Sequence, residues 1–200
     1  IDPFAEVQGR GIKKLKDAGI EVTMGVLEQE CQWLNRRFFT YHREHRPYMI
    51  LKWAQTANGF IDDDYKPLAI SSPFTRMLSH KLRAEEDAIL VGRVTEEREH
   101  PKLTVRDWTG EHPKRLVVDH NHPLNLEGLY AHGIQSLIVE GGAKTLQTFI
   151  DEGLWDEIRV ETNQRLTVAN GTRAPQLPSN TKVVDVKDFE GHTIVNYRKS

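Results

Sequence analysis

Short apolar runs alternate with segments of helical period along most of this chain. Tyr48–Ala54 is a near-continuous apolar run, as expected of a central strand buried on both faces. Asp87–Gly92, Arg115–Asp119 and Ser136–Val139 read as further strands. Between the first two, Ser72 and Pro73 supply an N-cap and a first helical residue, and Met77, Leu78 and Leu82 carry the helix to about Glu85. Ala143–Glu152 has Leu146, Phe149 and Ile150 at helical spacing. Glu157–Glu161, Lys182–Asp188 and Thr193–Tyr197 look like closing strands, the last two joined around Glu190-Gly191 as an antiparallel hairpin. The pattern predicts a three-layer α/β fold whose sheet is mostly parallel with an antiparallel C-terminal hairpin.

The N-terminal part reads differently. A short helix is expected within Gly9–Gly19, with Gly11 before it and Gly19 closing it, then a strand over Ile20–Val26. A second helix, from Leu27 to about Glu44, would keep Leu27, Cys31, Leu34 and Phe38 on one face. Helix, strand and helix cannot enclose a core alone. Arg46-Pro47 biases the chain away from helix and marks a boundary. Residues 1–45 are therefore expected to be the tail of an upstream domain plus a linker helix, and residues 46–200 the main domain.

Composition narrows the classes. With 38% apolar and 28% charged residues, a globular chain is expected and disorder is not. A net charge of −2 argues against a general nucleic-acid binder, and no apolar run approaches a membrane span. The single cysteine, Cys31, excludes an internal disulfide framework and a Cys-based zinc site, and is expected to be a plain core or half-buried thiol. The nine histidines show no metal-ligand spacing: His42 and His45 lie on a charged helix face, and His120 and His122 in a polar loop. The chain opens on Ile-Asp-Pro without an initiator Met or signal peptide, which suggests a fragment of a longer intracellular protein.

Candidate chemistry collects at the strand ends, because ligands of open α/β sheets bind beyond the carboxyl ends of the strands. Those ends present Lys52, Gln55, Gly92 to Thr95, Asp119, His120 and Glu140 to Thr145. Lys52 interrupts an apolar strand, so its ammonium must reach a partner, a ligand or solvent. Gly141-Gly142 joins a strand to a helix start, where free N–H groups and the macrodipole favour phosphate; on the glycine pair alone a plain tight turn is the commoner reading. Arg83 and Arg106 could grip that phosphate in bidentate fashion. No nucleophile elbow, P-loop or zinc-deaminase signature is present.

The ordered set Arg46-Pro-Tyr-Met-Ile-Leu-Lys-Trp-Ala-Gln-Thr-Ala-Asn-Gly-Phe-Ile61, Ile70-Ser-Ser-Pro73, Leu82-Arg-Ala84, Asp87-Ala-Ile-Leu-Val-Gly-Arg-Val-Thr95, Pro101-Lys-Leu-Thr-Val-Arg106, Arg115-Leu-Val-Val-Asp119, Ile138-Val-Glu-Gly-Gly142 and Gly153-Leu-Trp-Asp-Glu157 resembles the reductase domain of the bifunctional riboflavin-biosynthesis deaminase/reductase. Residues 2–39 resemble the tail of that protein's deaminase domain, without its zinc-binding part. The resemblance implies a dihydrofolate-reductase-like fold and an NADPH-dependent reduction of 5-amino-6-(5-phosphoribosylamino)uracil to its ribitylamino product. It also implies a small-molecule substrate, a cytoplasmic location and a homo-oligomer, with no nucleic-acid, membrane or metal partner. By motif position, Arg83, Leu103, Arg106 and Glu140 would contact the ribose phosphate. Gln55, Ala69, Thr95, Glu99, His120, Gly142, Ala143, Lys144, Thr145, Leu146, Gln147 and Thr148 would line the cofactor site. Lys52 and Glu99 would be catalytic, with Lys52 beside the reacting ribose. The chain departs from the family pattern at Glu99-His100-Pro101, where an Asp is usual, at Thr56-Ala-Asn-Gly59, at Ala69 and at Gln164–Val168. The alternative reading is a non-catalytic nucleotide- or phosphosugar-binding module on the same fold.

Overall fold

The computed structural model describes residues 9–200. The chain forms helices α1 (Arg10–Asp17), α2 (Glu28–Leu34) and α3 (Arg36–Glu44), then strand β1 (Tyr48–Thr56), α4 (Pro73–Glu85), β2 (Ala88–Gly92) and α5 (Arg93–Glu99). These are followed by β3 (Lys114–Val118), α6 (Leu126–Ala131), β4 (Ser136–Val139), α7 (Ala143–Asp151), β5 (Glu157–Asn163), β6 (Thr181–Phe189) and β7 (His192–Lys199). The seven strands make one sheet in the order β3-β2-β4-β1-β5-β7-β6. β2 pairs in parallel with β3 and β4, and β1 with β5. β7 runs antiparallel to both β5 and β6. This is the mixed sheet with a C-terminal hairpin that the patterning predicts.

Two compact units partition the chain: residues up to Tyr48 together with Leu126–Gln135, and Met49–Asn125 together with Ser136–Ser200. The second holds the main core. Met49, Ile50 and Leu51 of β1, Ile89 and Leu90 of β2, Leu137 and Ile138 of β4, Leu146 of α7, Trp155 and Ile158 are essentially inaccessible to solvent. Each such side chain contributes roughly 1.5–3 kcal/mol of burial free energy. The start of β1 is also tied by Asp156, whose Oδ2 accepts from the Met49 N–H at 2.8 Å.

Helix α4 begins where its sequence dictates. Ser72 Oγ accepts from the Thr75 N–H at 3.2 Å, and Pro73 occupies the first helical position. Its buried face is unusual in being mostly polar: Thr75, Ser79 and His80 are buried along with Leu82. Thr75 is accounted for by Glu161 of β5, which also accepts from Ser71 Oγ at 2.7 Å and lies 3.0 Å from His192 Nδ1.

The first unit departs from the sequence expectations at several points. Helix α1 starts at Arg10, so Gly11 lies inside it; Gly19, at φ +74°, does close it. Ile20–Val26 forms no strand: Gly25 and Leu27 turn the backbone at positive φ, and Ile20, Met24 and Val26 are exposed. The long helix expected from Leu27 to Glu44 is two helices. They meet at Asn35, which leaves helical geometry at φ −97° and ψ 17° while its backbone N–H and its Nδ2 both donate to the Cys31 carbonyl, at 3.0 and 2.9 Å. Leu27, Leu34 and Cys31 are exposed, so the thiol is not half-buried. Asp2-Pro3 and the rest of residues 1–8, which carried part of the family resemblance, lie outside the described residues. Within this unit Tyr41 donates its hydroxyl to the Tyr130 carbonyl at 2.8 Å, with the two rings 4.6 Å apart. Burial raises the Tyr41 pKa, and Tyr130 adds to the shift.

Candidate active site

The carboxyl ends of β1, β2 and β4 converge on one cleft of about 400 Å³. β1 contributes Lys52, Trp53 and Ala54 to its wall. The end of β2 leads through Val91 to Thr95 and Glu99 on α5, and the end of β4 gives Glu140, Gly141 and Gly142. The facing wall is α4, through Arg76, Ser79, His80 and Arg83. Two connecting segments complete it, one carrying Ala69 and Ser71, the other Pro101, Leu103 and Arg106. Lys52, Ala69, Arg83, Thr95, Glu99, Leu103, Arg106, Glu140 and Gly142 are thus brought together in one place.

Charge in the cleft is organised around Glu140. Arg83 grips it in bidentate fashion, Nη2 to Oε2 at 2.6 Å and Nε to Oε1 at 3.1 Å, with both side chains 12% exposed. Arg83 Nη1 also donates to the Thr104 carbonyl at 3.3 Å. Burial pushes the Glu140 carboxyl up, but the charges of Lys52 and Arg83 and the Arg83 hydrogen bonds outweigh it, so its pKa falls below the usual carboxylate range. Glu140 is therefore an acceptor-only anion at neutral pH. Arg106 is exposed on the cleft wall, and no side-chain hydrogen bond or ion pair holds its guanidinium among the described residues. One arginine is already committed, and the other is available to an incoming anion.

The start of α7 forms a second polar feature. Gly142 is its N-cap and offers no side chain to the first turn. The Gly142 N–H is taken by Thr95 Oγ1 at 2.8 Å, while the next helical bond is Leu146 N–H to the Gly142 carbonyl. Among the described residues, no side chain caps the amides of Ala143, Lys144 and Thr145. The glycines are matched to this packing: a Cβ on Gly142 would stand 3.1 Å from Thr95 Oγ1, and one on Gly92 would collide with Thr145 Oγ1. Close backbone approach, and not positive φ, is what Gly142 provides here, since its φ is −61°.

The remaining residues singled out from sequence lie elsewhere. Gln55 accepts from Trp53 Nε1 at 2.9 Å and does not line the cleft. His120 is exposed in the loop after β3, beside Asp119, whose carboxylate is occupied by the Asn121 and His122 amides. The Leu146 side chain is fully buried in the core. Ala143, Lys144 and Gln147 line a separate open recess with Asp151, Arg173 and Gln176. Thr148 is exposed, and its hydroxyl donates to the Lys144 carbonyl. Among the described residues no group of three or more His, Cys, Asp or Glu side chains is placed to hold a metal ion. No described helix is long and apolar enough to cross a membrane.

Comparison with known proteins gives the family. Residues 47–128 and 121–187 match the family model of the RibD C-terminal domain. The chain belongs to that family. A riboflavin biosynthesis protein RibD from Aquifex aeolicus is 34% identical over 207 residues, covering 80% of this chain and 58% of the relative. One from Synechocystis is 35% identical over 128 residues, covering 64% of this chain and 35% of the relative. The chain thus spans only about a third to three fifths of the length of these two relatives. Among solved structures, a diaminohydroxyphosphoribosylaminopyrimidine deaminase/5-amino-6-(5-phosphoribosylamino)uracil reductase from Thermotoga maritima superposes with a TM-score of 0.85 at 26% identity, covering 98% of this chain and 68% of that one. A dihydrofolate reductase from Enterococcus faecalis, complexed with NADP(H), shares the fold at a TM-score of 0.53 and 18% identity, covering 76% of this chain and 96% of that one.

Within this RibD C-terminal domain fold, the sequence reading missed most of the α4 wall. Arg76, His80 and Arg83 recur at i, i+4 and i+7, which places them on one helix face together with the buried Ser79. A polar stripe where an amphipathic helix normally carries apolar residues is a readable signal, and it was masked by the apolar Met77, Leu78 and Leu82. The hydroxyl of Ser71, which meets Glu161, had no comparable sequence signal because its partner is 90 residues away.

Proposed function

We propose that this chain is the NADPH-dependent reductase of riboflavin biosynthesis, converting 5-amino-6-(5-phosphoribosylamino)uracil to 5-amino-6-(5-phosphoribitylamino)uracil. The observation that carries the reading is one cleft holding a cationic grip, an ionised Glu140 and an uncapped helix start within a RibD C-terminal domain fold. The names of the Aquifex and Thermotoga relatives supply the pathway and the substrate class.

The residues fit a dinucleotide. The first-turn amides of α7 beyond Gly142 offer donors, and Gly141 and Gly142 present no obstructing Cβ, which suits a pyrophosphate. NADPH, when bound, supplies a hydride to C1′ of the ring-opened ribose. Thr95 holds the two βα turns in register through the Gly142 amide. Arg106 receives the substrate's phosphate as a charge-assisted partner. Glu140 cannot give a proton in its ionised state; it accepts from substrate hydroxyls or holds Lys52. Lys52 is then the group that delivers the proton balancing hydride addition across the C1′–N bond, acting from the middle of β1 within Coulombic reach of Glu140. Glu99, exposed at the cleft's edge, serves the cofactor side.

Titration with NADPH and with ribose 5-phosphate, followed calorimetrically, tests the site. Both are expected to bind, and Arg106→Ala to weaken only the sugar phosphate. No binding of either ligand sinks the proposal; binding of both without turnover on substrate supports the non-catalytic module instead.

A further inference from the structure

The segment Leu103–Asp107, which brings Leu103 and Arg106 to the cleft, belongs to no helix or strand. Leu103 stands at φ +52°, an uncommon backbone state for a residue with a side chain. Neighbouring side chains hold this segment in place of a ladder. The Thr104 carbonyl accepts from Arg83, and the Val105 N–H donates to His112 Nδ1 at 3.2 Å. The Arg106 and Asp107 N–H groups both donate to His80 Nδ1, at 3.3 and 2.8 Å. His80 is 1% exposed, on the buried face of α4.

We propose that His80 is a positioning residue for substrate recognition: its Nδ1 lone pair, by accepting from two consecutive backbone amides, fixes the turn that presents Arg106 to the substrate's phosphate. This rests on the reading of the cleft given above. The acceptor role requires a neutral ring with the proton on Nε2, since a protonated imidazole has no lone pair to offer. The surroundings keep it neutral. Burial lowers the His80 pKa, Arg83, Arg106 and Arg76 lower it further, and Asp107, with Oδ2 3.4 Å from Nδ1, opposes them. The charged groups around the ring are thus Arg76 and Arg83 of its own helix, Arg106 and Asp107 of the facing segment, and Glu140 from the end of β4. His80 touches neither the reacting atoms nor the reacting end of the ribose in this scheme; it acts through Arg106.

The test has two parts. Long-range ¹H–¹⁵N spectra of the imidazoles in the full chain should show His80 as the Nε2–H tautomer at neutral pH. The Arg106 and Asp107 amides should be slow to exchange in the parent and in His80→Asn, whose Oδ1 can replace Nδ1, and fast in His80→Leu. An Nδ1–H tautomer, or amides equally protected in His80→Leu, overturns the proposal whatever the chain does with substrate. Kinetics then test its meaning. His80→Leu should raise the substrate KM about tenfold or more, the scale of losing one well-placed charge-assisted bond, while kcat and the NADPH KM stay within roughly twofold. His80→Asn should return the substrate KM to within roughly threefold of the parent. A parental substrate KM in His80→Leu, or an equal rise in both KM values, refutes it. Should His80→Leu not fold, His80→Gln, which carries its acceptor one bond too far, takes its place with the same expected outcomes. A parent without turnover defeats the proposed function, and the tautomer and exchange results still decide the pinning.

Discussion

Replacing Arg83 by methionine separates the two roles that its position suggests. The stem volume is kept, while two charge-assisted bonds to Glu140 and one to the Thr104 carbonyl are lost. Breaking a buried ion pair by removing one partner costs about 3–5 kcal/mol, because the other charge is left behind. Here Glu140 has an escape: it can take a proton, at a cost near 1.36 kcal/mol for each unit between the working pH and its ordinary value of about 4.3, or about 3.7 kcal/mol at about pH 7. Lys52 gives partial compensation. The expected loss is therefore about 2–4 kcal/mol at neutral pH, a Tm drop of roughly 4–16 °C for a chain of this length. The escape becomes cheaper in acid, so the loss should shrink by about 1 kcal/mol or more between about pH 7 and about pH 5. Urea unfolding at the two pH values measures it. Adding Glu140→Leu removes the stranded charge and should recover most of the stability. A single-variant loss below about 0.5 kcal/mol, or one independent of pH, would show that the pair does not hold the cleft as described.

Three further outcomes follow from the same geometry. Lys52→Met should lower kcat by about 10²-fold or more while the melting temperature holds, the scale for losing a positioned general acid; steady-state kinetics with normal turnover would remove Lys52 from the chemistry. Gly142→Val places a β-branched side chain against Thr95 Oγ1 and in front of the α7 amides, so NADPH affinity should fall with the far-UV spectrum intact, and unchanged affinity in a fluorescence titration would make the turn purely structural. Asp62 is buried, which raises its pKa, but hydrogen bonds from Thr172 and Tyr65 and the charge of Arg98 win and lower it. Its contribution is therefore fully present above the unfolded value of about 3.9 and lost as pH falls through the lower folded value. Asp62→Asn should flatten the acid limb of stability, and an identical acid transition in both proteins would refute that assignment.

The second unit was legible because β1, β2 and β4 are short apolar runs, and its element ends carry strong punctuation. Ser72-Pro73, Gly141-Gly142 and Glu190-Gly191 mark element ends through local chemistry that tertiary contacts do not override. The first unit was less legible. Ile20–Val26 alternates like a strand, but alternation reports only a preference for a partner, and none of the described strands pairs with it. The expected long helix is interrupted at Asn35, a single-residue departure in backbone angles that periodicity does not reveal. In the cleft, Glu140 was recoverable from the rule that ligands sit beyond the strands' carboxyl ends, whereas Lys52 lies mid-strand in β1, which runs on to Thr56, and reaches the cleft from there. The engagement of Arg83 by Glu140, across 57 residues of sequence, was not, nor was the capture of two amides by one imidazole nitrogen.

The central claim is hydride transfer in this cleft, and the direct measurement is loss of dihydronicotinamide absorbance when the chain is mixed with NADPH and 5-amino-6-(5-phosphoribosylamino)uracil, with the ribityl product identified by mass. The account predicts one NADPH consumed per ribityl product formed, with the rate lowered about 10²-fold or more in Lys52→Met and the substrate KM raised in Arg106→Ala. NADPH bound tightly with no oxidation, in a chain whose fold is intact, would contradict it.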